Sequence, residues 1–166
     1  MPSTYEKIAT TTLGSNQSSV TFSSISSAYT DLVIVMNGSD TGGVQLAIQY
    51  NGDTGNNYSM VGLTGNGSIA YSVKGLNGAL IQFGWDAYLE SGYNYNAIIN
   101  IQNYSNTTTY KTLIGRANNA TTGVTATAAM WRSTAAINEI KFLQAYGSDL
   151  FKTGSTFTLY GIARAV

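Results

Sequence analysis

Alternation of apolar and polar side chains is the main signal in this sequence, and it predicts β-strands. In Val44–Tyr50 every second residue is large and apolar or aromatic, as in a strand that is buried on one face only. The residues that follow, Asn51–Gly55, are of types that accept the positive φ of a tight turn. Leu32–Met36 is instead apolar at every position, which predicts a central strand covered on both faces.

Clusters of Gly and Asn separate the further alternating stretches. The strands predicted from these stretches are Tyr5–Leu13, Val20–Phe22, Ile69–Val73, Leu80–Trp85, Ala97–Gln102, Tyr110–Arg116, Val124–Trp131 and Thr156–Ile162. About ten short strands with no intervening helix predict an all-β fold, an antiparallel β-sandwich of the jelly-roll type with little or no helix. The 166 residues show no linker and no internal repeat, so we expect residues 1–166 to form a single domain.

Two stretches are harder to assign. Thr134–Ala145 fits a helix or a strand, because Ile137 and Ile140 fall near helical spacing while all the neighbouring stretches favour strands. We predict a strand there. Asp53–Ser68 is rich in Gly and Asn and is predicted to be a loop that crosses between the sheets. Within it, Gly62–Gly67 lacks the Gly-Lys-Ser/Thr ending of a phosphate-binding loop, so we interpret it as a flexible loop.

The residue types restrict the chemistry that this chain can perform. With no His and no Cys, it has no Ser-His-Asp triad, no thiol nucleophile and no Cys/His zinc site. Asp86 and Glu90 are the best carboxylate pair for glycoside cleavage. The 8 Asp and Glu residues are few for an enzyme, however, so we expect none. Without His, we also expect no titration-linked change in stability between about pH 5.5 and 8.

One segment resembles a calcium-binding loop. Asn51–Asn56 has oxygen-bearing side chains at alternate positions, but no Glu follows at the offset that would complete an EF-type loop. A turn explains the same residues. We therefore expect no metal and no cofactor.

The charge pattern argues against two classes of partner. The 8 basic and 8 acidic residues give a net charge of zero, and the basic residues are scattered singly, so we expect no nucleic-acid binding. The longest aliphatic run, Leu32–Met36, is far shorter than the ~20 residues of a transmembrane helix, so we expect no membrane association. The opening Met1–Lys7 has neither the basic nor the apolar region of a signal peptide, so we expect a protein made in a cytosol.

Aromatic residues are the strongest candidates for a binding role. The chain has 12 Tyr, and one dense cluster contains Trp85, Tyr88, Tyr93 and Tyr95. Such side chains pack at protein interfaces, and they also stack on sugar rings. Trp131 and Arg132 form a second pair, since Arg beside Trp is typical of an interface hot spot. These six residues are the candidate interface, with a sugar platform and ordinary core packing as the alternatives.

The overall composition favours a protein that packs against copies of itself. Only 10% of the residues are charged. Interfaces are depleted in charge and enriched in aromatic residues, whereas free monomers usually keep a net charge away from zero.

Several segments carry a resemblance. They are Tyr5–Ala9 with the Thr-rich strand after it, Val20–Ile25, Tyr29–Ile34, Gln49–Asp53, Asn57–Ser59 and Gly154–Ile162. Together they resemble small β-sandwich virion proteins of tailed bacteriophages, including phages of cyanobacteria. Ile69–Tyr95 shows the resemblance least.

This resemblance implies a structural role in a virion. One possibility is a capsid decoration (cement) protein, a homotrimer that binds the major capsid protein on the outside of the shell after synthesis in the host cytoplasm. The alternative is a tail-fibre or receptor-binding module that recognises a host surface glycan. Because strand-like sequence begins by Tyr5, we expect no room for a tail adaptor and shaft, which favours the capsid surface.

Overall fold

The computed structural model describes residues 4–83 and 85–163, and this part of the chain contains strands and turns without a helix. The strands are β1 (Tyr5–Thr12), β2 (Ser19–Phe22), β3 (Asp31–Gly38), β4 (Gly43–Val44), β5 (Leu46–Tyr50), β6 (Tyr58–Gly65), β7 (Ala70–Gly78), β8 (Ile81–Phe83), β9 (Leu89–Glu90), β10 (Tyr95–Gln102), β11 (Lys111–Asn119), β12 (Gly123–Trp131), β13 (Ile140–Gln144) and β14 (Thr156–Ile162). Within these ranges, nothing helical is long and apolar enough to cross a membrane.

The strands form two main sheets of unequal size. The large sheet has eight strands in the order β1-β14-β3-β10-β11-β12-β6-β7, and the small sheet has four in the order β2-β13-β5-β8. A two-stranded ribbon pairs β4 with β9. All of these pairings are antiparallel, from β1 with β14 to β6 with β7. The predicted all-β antiparallel sandwich is confirmed, and the jelly-roll topology stays a prediction.

The hydrophobic core lies between the two sheets. Residues on β10, β11 and β12 alternate between buried and exposed positions, so one face of the large sheet points inward. Ile99 and Leu113 on that face belong to the same buried cluster as Ile48 and Phe142 of the small sheet. Each side chain of this kind contributes about 1.5–3 kcal/mol when it is fully buried. Because every second residue of these strands points inward, apolar side chains of both sheets meet in one core, and their burial holds the sheets together.

A polar junction fixes one corner of this core. Trp131 is 3% exposed and stacks on Tyr58 at 6.4 Å between ring centroids. Its indole nitrogen donates a hydrogen bond of 2.6 Å to Asp53, whose backbone oxygen accepts another of 3.0 Å from the Tyr58 hydroxyl. Burial acts to raise the pKa of Asp53, but hydrogen bonds from Trp131, Asn57 and Gly55 outweigh it and hold the pKa below its usual value. The turn after β5 is thereby tied to the end of β12.

The predicted strands all overlap strands of the structure. Gly84, inside the predicted strand Leu80–Trp85, lies outside the described residues. The ambiguous stretch Thr134–Ala145 contains β13, which confirms the strand. Its first part is irregular because the Asn51 side chain binds it, donating to the Ala136 oxygen and accepting from the amides of Asn138 and Glu139.

The loop prediction for Asp53–Ser68 is wrong, because β6 occupies Tyr58–Gly65. The crossing between the sheets takes place before β6. Gly62 and Thr64 occupy inward positions of β6, where large apolar side chains would have made the alternation of a strand recognisable in the sequence. A Cβ at Gly62 would lie 3.0 Å from a methyl group of Val73, so a larger residue would have to displace the Val73 side chain. The prediction that Gly62–Gly67 is a flexible loop is also wrong, because β6 extends to Gly65.

The structure also corrects the burial of two predicted strands. Val44–Tyr50 was expected to be half-buried, but all of β5 is buried, and Gln49 satisfies its amide with a 2.9 Å hydrogen bond to the Ala79 oxygen. Conversely, β3 is central in the large sheet without being covered on both faces, because Val35 is 40% exposed. Apolar composition alone did not reveal which faces the rest of the chain covers.

Close contact between the sheets depends on Gly115 in β11. A Cβ at this position would lie 2.7 Å from the Phe83 ring of the small sheet and 2.7 Å from the Ile98 oxygen. We predict that Gly115→Ala destabilises the protein by about 1–3 kcal/mol, because overpacking displaces a strand or a ring. Urea unfolding measures this change.

Gly14→Ala is the matched control, since a Cβ at Gly14 would meet nothing within 4 Å. We expect it to change the free energy of unfolding by less than about 0.5 kcal/mol. Equal losses in the two variants would contradict the role of Gly115 in sheet packing.

Candidate functional site

The outward face of the large sheet carries an apolar surface that no other described part of the chain covers. Leu63, Ile114 and Val61 are 68%, 63% and 57% exposed. They occupy outward positions on β6 and β11, where polar side chains are usual. Exposed apolar side chains scattered singly need no explanation, but a contiguous patch marks an interaction site.

Strand register makes these residues contiguous. Ile114 pairs with Ala128, which pairs with Val61, and in the next row Arg116 pairs with Ala126, which pairs with Leu63. We call this surface the outer apolar patch. Its members are Val35, Val61, Leu63, Ile98, Ile114, Val124, Ala126 and Ala128. A shallow depression of about 240 Å³ lies between Leu63, Ile114 and Ala126.

The outer apolar patch is bordered by positive charge. Arg116 and Lys74 project from outward positions on β11 and β7, and strands β6, β7, β10, β11 and β12 contain no Asp or Glu. Neither cation forms a hydrogen bond or ion pair with another described residue. A partner that covers the patch must therefore accommodate two cations.

Three of the six candidate interface residues already have internal roles. Tyr95 is fully buried at the start of β10, and Trp131 is buried in the junction with Asp53. Arg132 donates hydrogen bonds to the Asn56 oxygen, to Ser59 and, at 2.9 Å, to Asn77. These three residues hold the monomer together in this conformation.

Trp85, Tyr88 and Tyr93 lie nearer the surface. Tyr93 is 47% exposed and bridges to Glu90, while Trp85 and Tyr88 are half-buried. Two backbone hydrogen bonds fix Tyr88 against the β11–β12 turn. Its backbone oxygen accepts one of 2.8 Å from the Asn119 side chain, and its backbone amide donates one of 3.4 Å to the Thr122 hydroxyl. The segment that carries these residues is therefore held against the end of the large sheet.

The fold adds two tyrosines that the sequence did not indicate. The Tyr71 hydroxyl donates a 2.8 Å hydrogen bond to Asp86, two residues before Tyr88. Burial raises the pKa of Tyr146, and Tyr88 raises it further, whereas a hydrogen bond with Gln45 lowers it. Tyr146 therefore lies close to both Tyr88 and Gln45. We call Tyr71, Trp85, Tyr88 and Tyr146 the aromatic cluster. Tyr71 lies in β7 and Tyr146 follows β13, and no local pattern links either of them to Trp85.

The candidate carboxylates have partners within the chain. Asp86 accepts the bond from Tyr71, and Glu90 accepts one of 2.8 Å from Thr121. Asp53, in the calcium-like segment Asn51–Asn56, accepts hydrogen bonds from Gly55, Asn57 and Trp131, as expected for a turn that caps its own backbone. In residues 4–83 and 85–163, no three His, Cys, Asp or Glu side chains form a group that could hold a metal ion.

Asp40 is a fully buried carboxyl with a raised pKa, which predicts a change of stability near neutral pH where the absence of His predicted none. Burial raises its pKa to about 7, and Asp149 and Glu90 add repulsion, although the Gly42 amide and Lys152 act in the opposite direction. One carboxyl oxygen accepts a 3.0 Å hydrogen bond from Gly42, and the other has no partner among the described residues. Sequence alone gave no indication that this Asp is buried.

No protein-family model matches the chain, and no curated protein matches it either.

The Asp40 carboxyl predicts a pH dependence of stability. Its pKa is about 7 in the folded state and near 3.8 in the unfolded state, so between these values only the folded state holds the proton. The free energy of unfolding should therefore fall as the pH rises from about 4 to about 7, by at most about 4 kcal/mol, and then level off. Urea midpoints measured at several pH values will show this slope.

Asp40→Asn should remove that slope and be more stable than the unchanged protein at pH 8. Asp149→Asn is the control and should keep most of the slope, because burial is the largest cause of the raised pKa. A slope that survives in Asp40→Asn would assign the titration to another group.

Proposed function

We propose that this protein is a structural component of a tailed-bacteriophage virion, a capsid decoration protein that acts as a homotrimer and has no catalytic activity. The outer apolar patch is the observation that carries this proposal. The resemblance of the sequence to β-sandwich virion proteins supplies the virion context. The alternative, a tail-fibre or receptor-binding module, is favoured by the aromatic cluster.

The size of the outward face suits a stable subunit interface. With about 4.8 Å between strands and about 3.4 Å per residue, eight strands of eight residues present a face of roughly 1,000 Å². Each partner in a stable complex buries roughly 800 Å². Burying four side chains such as Val61, Leu63, Ile114 and Val124 contributes about 1.5–3 kcal/mol each, against an association cost of about 4–15 kcal/mol. A second copy covering this face would thus offset most of that cost.

The cations favour a ring over a face-to-face dimer. A twofold axis through the outer apolar patch would set the patch against itself and bring both copies of Arg116 into one apolar contact, where unpaired charge is costly. A cyclic trimer sets the patch of one subunit against a different surface of the next. In that arrangement Arg116 and Lys74 can meet carboxylates of the neighbouring subunit.

Capsid stabilisation then follows from multivalent contact. A trimer that touches several capsomers binds them in steps, and each contact after the first forms at a high effective concentration. Modest single contacts are enough to hold the shell against internal pressure.

We predict that the purified protein has about three times the 17.6 kDa mass of one chain in light scattering after size exclusion. Leu63→Lys should yield monomers, because it places a charge in the outer apolar patch. The highly exposed Leu63 contributes little to the core, so the variant should still fold.

Tyr93→Lys is the matched control, because it replaces an exposed candidate outside the patch. It should leave the trimer intact. The opposite pattern, with monomers from Tyr93→Lys and trimers from Leu63→Lys, would move the interface to the aromatic residues predicted from the sequence.

The capsid role predicts a loss of particle stability. Virions depleted of the protein should keep their shell but release DNA at a lower temperature, because the contacts between capsomers are fewer. Adding the purified protein should restore the release temperature, and Leu63→Lys should restore it less. Cell adsorption should change little. Depleted particles that stay heat-stable and fail to adsorb would instead support the receptor-binding alternative.

A further inference from the structure

We infer that the aromatic cluster is a binding site for a neutral saccharide, with Tyr71, Tyr88 and Tyr146 as stacking surfaces and Asp86 and Gln45 as hydrogen-bonding groups.

The fold gathers these residues from four separated segments. The Tyr71 hydroxyl donates a 2.8 Å hydrogen bond to Asp86, which places β7 beside the segment that holds Trp85 and Tyr88. Val44 pairs with Leu89, so Tyr88 runs next to Gln45. The Ala145 amide donates a 3.0 Å hydrogen bond to the Gln45 oxygen, which brings Tyr146 to the same place. The rings therefore line one continuous stretch of surface.

The exposure of the rings suits a ligand that stacks. Tyr71 is 37% exposed and Tyr146 51% exposed, while Trp85 and Tyr88 are half-buried. A tyrosine ring has an apolar face and a hydroxyl at its tip. Sugar rings combine C–H faces with hydroxyl groups at their edges, so they match this pairing of surfaces.

Polar groups without partners distinguish this cluster from ordinary packing. The side chain of Gln45 is 4% exposed, yet its amide oxygen has no hydrogen-bond partner among the described residues. The second carboxyl oxygen of Asp86 and the indole nitrogen of Trp85 are also buried and unpartnered within that part of the chain. Leaving such a group unpaired costs about as much as a lost hydrogen bond. These are two acceptors and one donor, and all three atoms are buried, so a saccharide hydroxyl pairs with one of them only when its side chain turns toward the surface. A hydroxyl group suits either kind because it both donates and accepts.

The local charge selects the class of saccharide. Asp86 and Glu90 flank Tyr88 in the sequence, and the Lys152 ammonium that lies nearby donates to Ser91. Two carboxylates beside the rings disfavour acidic sugars. They also disfavour nucleic acid, whose phosphates need a cationic groove. A neutral hexose or its oligomers fits best.

None of the residues of this site belongs to the outer apolar patch. The inference requires that the surface of the next subunit that receives the patch lies outside the aromatic cluster. Saccharide binding is then expected in trimers and monomers alike.

Saccharide binding can be tested with glucose, galactose, mannose and their linear trisaccharides as probes. Saturation-transfer NMR and tryptophan fluorescence, with Trp85 as a reporter, detect the complex. We expect at least one of these probes to bind with a dissociation constant of roughly 1 mM, as suits a ligand of this size. Glucuronic acid should bind at least tenfold more weakly, and Asp86→Asn should reduce that discrimination.

Variants separate this site from non-specific contact. Tyr88→Ala and Tyr146→Ala should each weaken binding at least tenfold, whereas Tyr110→Ala, a tyrosine of similar exposure outside the cluster, should not change it. Leu63→Lys should bind as the unchanged protein does, whatever its oligomeric state. Absence of binding by all the neutral probes would overturn the inference. Equal binding by Tyr88→Ala and the unchanged protein would overturn it too.

Discussion

Successive side chains of a strand point to opposite faces, so an eight-stranded sheet has two broad surfaces, and residues 4–83 and 85–163 cover only one of them. The four-stranded sheet and its loops bury the inner face around Ile99, Leu113 and Phe142. Across the outer face, Val61, Leu63 and Ile114 remain in contact with solvent. The stability of the monomer and its proposed association thus have a common origin, because both follow from how alternation distributes apolar side chains between the two faces.

The mismatch between the sheets also shapes the aromatic cluster. The small sheet has half as many strands as the large sheet and ends at β8. The segment that follows β8 lies beside β7, since Asp86 accepts a hydrogen bond from Tyr71. This segment buries Ala87 and Leu89 and leaves Trp85 and Tyr88 half-buried. The junction of Asp53 with Trp131, in contrast, is a polar contact of the same core in which donor and acceptor are paired. The unpaired Gln45 oxygen contrasts with this junction, and it supports the proposed saccharide site.

Local alternation was enough to predict most strands, including β13, whose competing helical spacing came from Ile137 in the preceding turn. It failed for β6 because Gly62 and Thr64 occupy its inward positions. The outer apolar patch could not be predicted in the same way, since Leu63 and Ile114 become neighbours only through the pairing of three strands. Burial of Asp40 likewise depends on contacts with distant segments, and Tyr146 and Tyr88 are far apart in the sequence although the fold makes them neighbours.

The place of β14 has a consequence for the timing of synthesis. β14 lies between β1 and β3, and β1 has no other neighbour in the sheet. Residues 5–12 leave the ribosome early, yet their partner, residues 156–162, follows almost a whole chain later. At translation rates of about 5–20 residues per second, β1 waits roughly 8–30 s without a hydrogen-bonded partner. β1 is therefore made long before the strand that it pairs with, and charged residues such as Glu6 and Lys7 are of the kind that discourages an unpaired strand from pairing with other chains.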